Sequence, residues 1–227
     1  MHFVYLVGPG DDQEPLRYSL RTLQAHAPDH TVTLAGYQPD WTTNTGHLPV
    51  EQERRSWANQ IRILRHVCEK LDSSFILMND DFFALQDFDT IALHHNGTLE
   101  ELANRPGWST GWYGQSLTHT RTLLHQWGFD TPLAYDGIHR PMPINPHLMD
   151  QLFDHAESDT FQHRSLYGNH AGPSTFAPDT KLRSTEDTIP KRADWISTSP
   201  RSWHGRLGAT LRATYPTPCR YEYPTRR

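Results

Sequence analysis

Two spacings of apolar residues alternate over the first eighty positions. Phe3-Val4-Tyr5-Leu6-Val7 is a continuous β-rich run stopped by Gly8-Pro9-Gly10, the pattern of a buried strand meeting a loop. Leu16, Leu20, Leu23 and Ala27 then recur at helical spacing as far as Pro28, which predicts an amphipathic helix. Thr31 to Gly36 predicts a second strand. After a turn-rich stretch from Tyr37 to Pro49, residues Trp57, Ile61, Leu64, Cys68 and Leu71 mark one face of a second helix, and Ser74 to Met78 predicts a third strand. The order β-α-β-α-β implies an α/β fold with a mostly parallel sheet, right-handed crossovers and helices on its faces. Beyond residue 85 the periodicity weakens as glycine, proline and tryptophan become frequent, and helices are predicted only near 116–127 and 145–156. No internal repeat or low-complexity tract divides the chain. A single domain over 1–227 is therefore expected, with a regular half at 1–85 and an irregular half at 86–227.

Composition narrows the class. The longest apolar run is the five residues Phe3 to Val7, against roughly 18 for a membrane helix, so no membrane span is expected. The first residues lack a basic segment and meet Pro9-Gly10-Asp11-Asp12 early, which argues against a secretory signal and for a cytoplasmic protein. Cys68 and Cys219 stand far apart and suggest neither a zinc site nor a disulfide framework. The fifteen histidines form no HExxH pair. The net charge of −5 conceals an asymmetry: residues 181–227 hold ten Lys/Arg against four Asp/Glu, a surplus of six, and the rest is acidic. Such a basic segment either approaches phosphates or forms a solvated face.

The sharpest chemical signal is Phe75-Ile76-Leu77-Met78-Asn79-Asp80-Asp81-Phe82-Phe83. An apolar strand runs into two adjacent carboxylates and an amide, at the carboxyl end where open α/β sheets bind ligands. Buried neighbouring carboxylates need a cation or donors, and hard oxygen ligands suit Mg²⁺ or Mn²⁺ held together with substrate phosphates. The alternative is that Asp80 or Asp81 caps the following turn in solvent. His139, in Asp136-Gly137-Ile138-His139-Arg140-Pro141, sits on a loop constrained by glycine and proline, where an imidazole can act as general base or donate to a phosphate. Arg164 offers a bidentate guanidinium for a diphosphate. Glu186-Asp187 supplies either a late carboxylate, with Asp187 as base, or an N-cap. Trp108, Trp112, Tyr113 and Trp127 suit ring stacking and equally suit loop anchoring.

Read together in this order, Leu16 to Leu23, Ala27-Pro28, Gln38-Pro39-Asp40-Trp41 and Phe75 to Phe83 resemble the second conserved region of the Stealth family of sugar-phosphate transferases and the shorter glycosyltransferase-like proteins of bacteriophages. Ile138 to Pro143 resembles the His-x-Pro element of the third Stealth region, and Phe161-Gln162-His163-Arg164 with Tyr167 the basic element of the fourth. Trp203 to Leu207 and Arg220-Tyr221-Glu222 resemble endings of the phage members. The family's opening run is echoed only in part by Val4 to Asp12.

The resemblance implies a GT-A-like, Rossmann-like nucleotide-sugar-binding fold in which Asp81 and Asp80 form a DxD-type metal site for Mn²⁺ or Mg²⁺ and Asn79 orients them. It implies a nucleotide diphosphate sugar, such as a UDP-sugar, as donor. Val7, Gly8 and Pro9 would approach the nucleoside, and Arg55, Asn59, Asn79 and Asp80 would complete that site. The expected function is glycosyl transfer to an acceptor hydroxyl, with His139, Asp187 and Arg164 as catalytic groups. For a phage-encoded protein in the host cytoplasm the acceptor is a hydroxymethylated base in DNA, a modification the basic segment favours. Otherwise it is a glycan. Two alternatives stand beside it: transfer of a sugar 1-phosphate to a glycan, and a noncatalytic nucleotide-sugar-binding protein.

Overall fold

The computed structural model describes residues 1–227 apart from 11, 28, 54, 55, 157–159 and 225–227, and the backbone alone of 56 and 57. Its centre is a five-stranded sheet in the order β3-β2-β1-β4-β7. The strands are β1 (His2–Val7), β2 (Thr31–Gly36), β3 (Gly46–Pro49), β4 (Phe75–Asn79) and, much later in the chain, β7 (Met142–Ile144). β1 pairs in parallel with β2 and β4, and β2 with β3, whereas β7 runs antiparallel along β4.

Helices α1 (Glu14–His26) and α2 (Ser56–Lys70) are the first two crossovers, and the alternation along β1 assigns each to a face. Phe3, Tyr5 and Val7 pack with Leu16, Leu20 and Leu23 of α1. Val4 and Leu6 pack with Ile61, Leu64 and Val67 of α2. With both faces covered, β1 and β2 are buried along nearly their whole length, which is why they read as continuous apolar runs rather than as alternating ones.

The expected β-α-β-α-β order is present, with one strand added. β3 lies within the stretch read as turns because it is an exposed edge of four residues containing a glycine and a proline. The irregular half holds short elements: β5 (Phe82–Ala84), β6 (His94–His95), α3 (Leu99–Ala103), α4 (Gly111–Gln126), α5 (Pro146–His155), α6 (His163–His170), β8 (Thr175–Phe176), β9 (Lys181–Leu182), β10 (Trp195–Thr198), α7 (Pro200–Trp203) and α8 (Arg206–Thr214). α4 and α5 match the two helices expected there. β5, β10 and β9 form a second sheet in that order, so the chain leaves the central sheet at β4 and enters the second after two residues, Asp80 and Asp81.

The basic segment is packed against the rest of the chain. Glu222, buried, accepts from Arg17 at 2.9 Å and from Arg21 at 2.7 Å, both on α1. Arg212 on α8 pairs with Glu14 at 2.7 Å, and Arg206 with Glu186 at 3.2 Å. Arg206 and Arg212 are thus paired within the protein, while Lys191, Arg192 and Arg201 of the same segment are exposed. Both cysteines are free thiols and buried, and no helix among the described residues is long and apolar enough to cross a membrane.

Candidate active site

β2 and β4 flank β1 on opposite sides, and the crossovers α1 and α2 cover opposite faces. The strand order thus reverses beside β1, and the crevice between the carboxyl ends of β1 and β4 is where such sheets bind ligands. Leu6 lies opposite Asn79 in the ladder, so the loop after Val7 and the Asn79-Asp80-Asp81 turn face the same crevice.

The second sheet supplies the counter-charge. Ser197 on β10 pairs with Phe82 on β5 and with Lys181 on β9. Those registers bring Lys181 Nζ to 3.0 Å and Ser197 Oγ to 2.9 Å from Asp81 Oδ2. Asp81 Oδ1 has no side-chain partner among the described residues. Burial, with the adjacent Asp81 charge added, pushes the Asp80 carboxyl well above the usual carboxylate range, while Lys181 acts in the opposite sense. No group of three His, Cys, Asp or Glu side chains assembles among the described residues. The carboxylates present at the turn are thus Asp80 and Asp81, hard oxygen donors of the kind that Mg²⁺ or Mn²⁺ takes together with substrate phosphates.

A cavity of about 550 Å³ opens beside this turn, a volume ordinary for a small-molecule site. Asn79 and Phe82 form one wall, and Arg164, Lys181 and Arg183 supply positive charge. Trp108, Trp112 and Tyr113 form an aromatic side. Arg164, 7% exposed, donates to the Arg140 carbonyl at 2.7 Å and lies 3.5 Å from Asn79 Oδ1. It thereby links the sequence-predicted cation to the strand that carries the carboxylates. Burial lowers its pKa, and the nearby Asp136 and Asp81 charges oppose that shift. His163, at the start of α6, also lines the cavity; burial pulls its pKa down to about 4, which leaves the ring neutral near pH 7.

The loop carrying His139 is held from two directions. On the α6 side, Asp136 Oδ2 accepts Ser165 N–H at 2.7 Å, Ser165 Oγ accepts Tyr135 N–H at 2.9 Å, and Asn169 brackets the Leu133 backbone through both its N–H and its carbonyl. On the other side, Thr180 donates its N–H to the Ile138 carbonyl at 3.1 Å and its hydroxyl to the His139 carbonyl at 2.6 Å. The loop can pass this close to its surroundings because Gly137 has φ +75°, and a Cβ there would lie 2.6 Å from the Trp108 ring.

The structure thus brings Asn79, His139 and Arg164 to one cavity, beside the turn that carries Asp80 and Asp81. Val7 is fully buried, and its carbonyl already accepts Tyr37 N–H at 3.0 Å and Gln52 Nε2 at 2.8 Å, so approach to a ligand there falls to Gly8 and Pro9. Open space surrounds Gly8, where nothing lies within 4 Å of a Cβ position. Asn59 is buried and holds the backbone of Glu53 ahead of α2, accepting its N–H at 2.7 Å. Asp187 lies outside the cavity lining and accepts the N–H groups of Arg183 and Ser184, each at 2.7 Å, as a turn cap does. Arg55 lies outside the described residues, as does Arg54.

Asp136, Asp179, Lys181 and Ser197 had no legible signal in the sequence. Lys181 meets Asp81 across 100 positions, through the pairing of two-residue and four-residue strands.

No family model matches the chain, and none of the curated protein sequences does, so the Stealth resemblance rests on its motifs. Among solved structures the chain is similar to the galactosyltransferase LgtC in complex with donor and acceptor sugar analogues, and to an active-site mutant of LgtC. Each is 11% identical, with a TM-score of 0.51 over 97% of this chain and 98% of the other. At that identity the likeness is one of architecture: the mostly parallel central sheet with its covering helices is the GT-A glycosyltransferase fold.

Proposed function

We propose that the protein is a metal-assisted glycosyltransferase that moves a sugar from a nucleotide diphosphate sugar, such as a UDP-sugar, to an acceptor hydroxyl. The observation that carries this reading is the Asp80-Asp81 pair at the point where the strand order reverses, flanked by Asn79 and Phe82, which line a cavity with Arg164 and Lys181, the latter paired with Asp81. LgtC, with its donor and acceptor sugar analogues, shares the fold.

In this reading Asp80 and Asp81 hold Mn²⁺ or Mg²⁺, which supplies Lewis-acid stabilisation of the departing diphosphate. Arg164 and Lys181 take the remaining phosphate charge, and Asn79 is oriented by Arg164. The nucleoside lies over the Gly8-Pro9 loop, and His139 receives the acceptor proton, since Asp187 caps a turn outside the cavity. The pairs Arg206–Glu186 and Arg212–Glu14 reduce the positive charge available for counterion release on a duplex, which favours a glycan acceptor over a hydroxymethylated DNA base.

A thermal-shift screen of UDP-, GDP-, dTDP- and CDP-sugars, each with and without Mn²⁺, tests the reading. A donor at 100 times its Kd stabilises by about 2.7 kcal/mol. No shift with any donor under either condition would sink the proposal, and a shift with nucleotide alone followed by no turnover returns the protein to the noncatalytic reading. The product nucleotide separates the remaining alternative: glycosyl transfer releases a nucleoside diphosphate, whereas Stealth-type sugar-phosphate transfer releases the monophosphate.

A further inference from the structure

His139 is one of three non-glycine residues with positive φ among the described residues, at 49°. A left-handed backbone costs a β-carbon-bearing residue on the order of 1 kcal/mol or more and persists where surrounding contacts over-determine it. Here α6 holds the loop on either side, and the contacts to His139 itself come from one segment, 179–181. Thr180 holds the backbone on either side of the His139 nitrogen through the Ile138 and His139 carbonyls, while Asp179 Oδ1 lies 2.8 Å from the imidazole Nδ1. Asp179 is in turn fixed by Lys181 N–H at 2.9 Å and by the Arg183 guanidinium at 2.9 Å on its other oxygen. The imidazole Nε2 has no partner among the described residues, and the ring lines the cavity beside the carboxylate turn.

We propose that Asp179, braced by Arg183, is a positioning residue that holds His139 with Nδ1–H directed at its carboxylate, so that Nε2 is the base of an inverting transfer. This rests on the glycosyltransferase reading and adds its stereochemistry and its base. As the acceptor oxygen forms its bond to the anomeric carbon, the bond from that carbon to the diphosphate oxygen breaks, and its electron pair leaves with the nucleoside diphosphate. The acceptor proton passes to Nε2, and the imidazolium is stabilised by Asp179. Burial alone would raise the Asp179 carboxyl, but the hydrogen bond and charge of His139 and the donors at Lys181 and Arg183 outweigh it, and Asp179 is kept ionised. The other ionisable groups of the cavity wall are Asp136 on the same loop, Tyr113 from α4, His163 and Arg164 from α6, and Lys181 and Arg183 beside Asp179.

The test uses hydrolysis of UDP-galactose in the presence of Mn²⁺, with water as acceptor, followed by proton NMR, for the intact chain and its Asp179→Asn and His139→Gln variants. The first sugar released from this α-linked donor is expected to be the β-anomer. His139→Gln is expected to lose about 10²–10⁴ in rate and Asp179→Asn about 10–100-fold, the scale of losing an outer partner of a functional histidine. Asp179→Asn is expected to lower kcat with little change in the KM of the donor and to add little in the His139→Gln background, because it acts through His139; a merely structural role would not produce this. Release of the α-anomer first, or an Asp179→Asn enzyme with unchanged rate or with a loss that adds fully to that of His139→Gln, overturns the proposal. If the wild type hydrolyses the donor and His139→Gln does so equally, only this inference falls. If the wild type neither binds nor hydrolyses it while another nucleotide sugar shifts its melting point, the same assay runs on that donor. If none does, the glycosyltransferase reading falls and this inference with it.

Discussion

Glu222 shows how much a single side chain can hold together. Its carboxylate is 1% exposed and accepts from Arg17, from Arg21 through two nitrogens, and from the Cys219 N–H. Burial alone would raise its pKa, yet the Arg21 hydrogen bond and charge, with the other donors, bring it below the ordinary value. A carboxyl depressed in the folded state contributes stability that is present above its unfolded pKa and lost as pH falls through the folded one. Glu222→Gln is therefore expected to cost roughly 3–5 kcal/mol near pH 7 by leaving Arg21 buried without its counter-charge. Denaturant melts of the two proteins should converge as the pH is lowered from about 4.5, the ordinary glutamate value, through the depressed folded value, and parallel loss at all pH values would contradict the assignment. The segment Arg220-Tyr221-Glu222 stood out in the sequence, but the ion-pair role of Glu222, like the roles of Asp179 and Lys181, did not, because its partners lie about two hundred positions away. Asn79-Asp80-Asp81 was legible for the opposite reason: the apolar run of β4 ends on it, and an abrupt change of polarity at a strand end is a local signal.

At the level of elements, regular spacing carried the reading as far as β4 and then failed. β1, α1, β2, α2 and β4 each bury a stripe or a run long enough to set a period, whereas β5, β6, β8 and β9 have two or three residues and no period to read. α6 is the costliest omission, since it carries His163 and Arg164 into the cavity and is tied to the His139 loop. Its eight residues lie flat on a neighbour: a Cβ on Gly168 would meet the Tyr135 ring at 2.5 Å. Gly168→Ala must push α6 away from the 133–139 loop. A loss of about 1–3 kcal/mol is expected from overpacking, together with a fall in donor turnover larger than the shift in melting point explains. Calorimetry beside a turnover assay measures both, and full activity at the permissive temperature would show that α6 position does not govern the site.

Across the whole molecule, the two faces of the central sheet have separate cores, one under α2 with α4, α5 and α6 and one under α1 with the residues 219–221. The candidate site lies where the central sheet hands over to the second. The charge asymmetry that stood out in the sequence is partly internal: Lys181, Arg183, Arg206 and Arg212 are ion-paired with carboxylates, whereas Lys191, Arg192 and Arg201 are exposed. Duplex DNA affinity should accordingly be weak, and its salt dependence shallow, with a slope well short of the roughly −0.9 per neutralised phosphate summed over a long contact path. Fluorescence anisotropy at two salt concentrations checks this, and a steep slope would restore DNA as acceptor. The ion pair between Arg21 and Glu222, 201 positions apart, also bears on how the chain comes into being. Synthesis proceeds from the amino end, so Arg17 and Arg21 emerge from the ribosome long before their carboxylate exists, although the leucines of α1 can already pack on β1. A nascent chain halted anywhere before residue 222 lacks that counter-charge, so the face of α1 that bears the two arginines is completed only once residue 222 has been made.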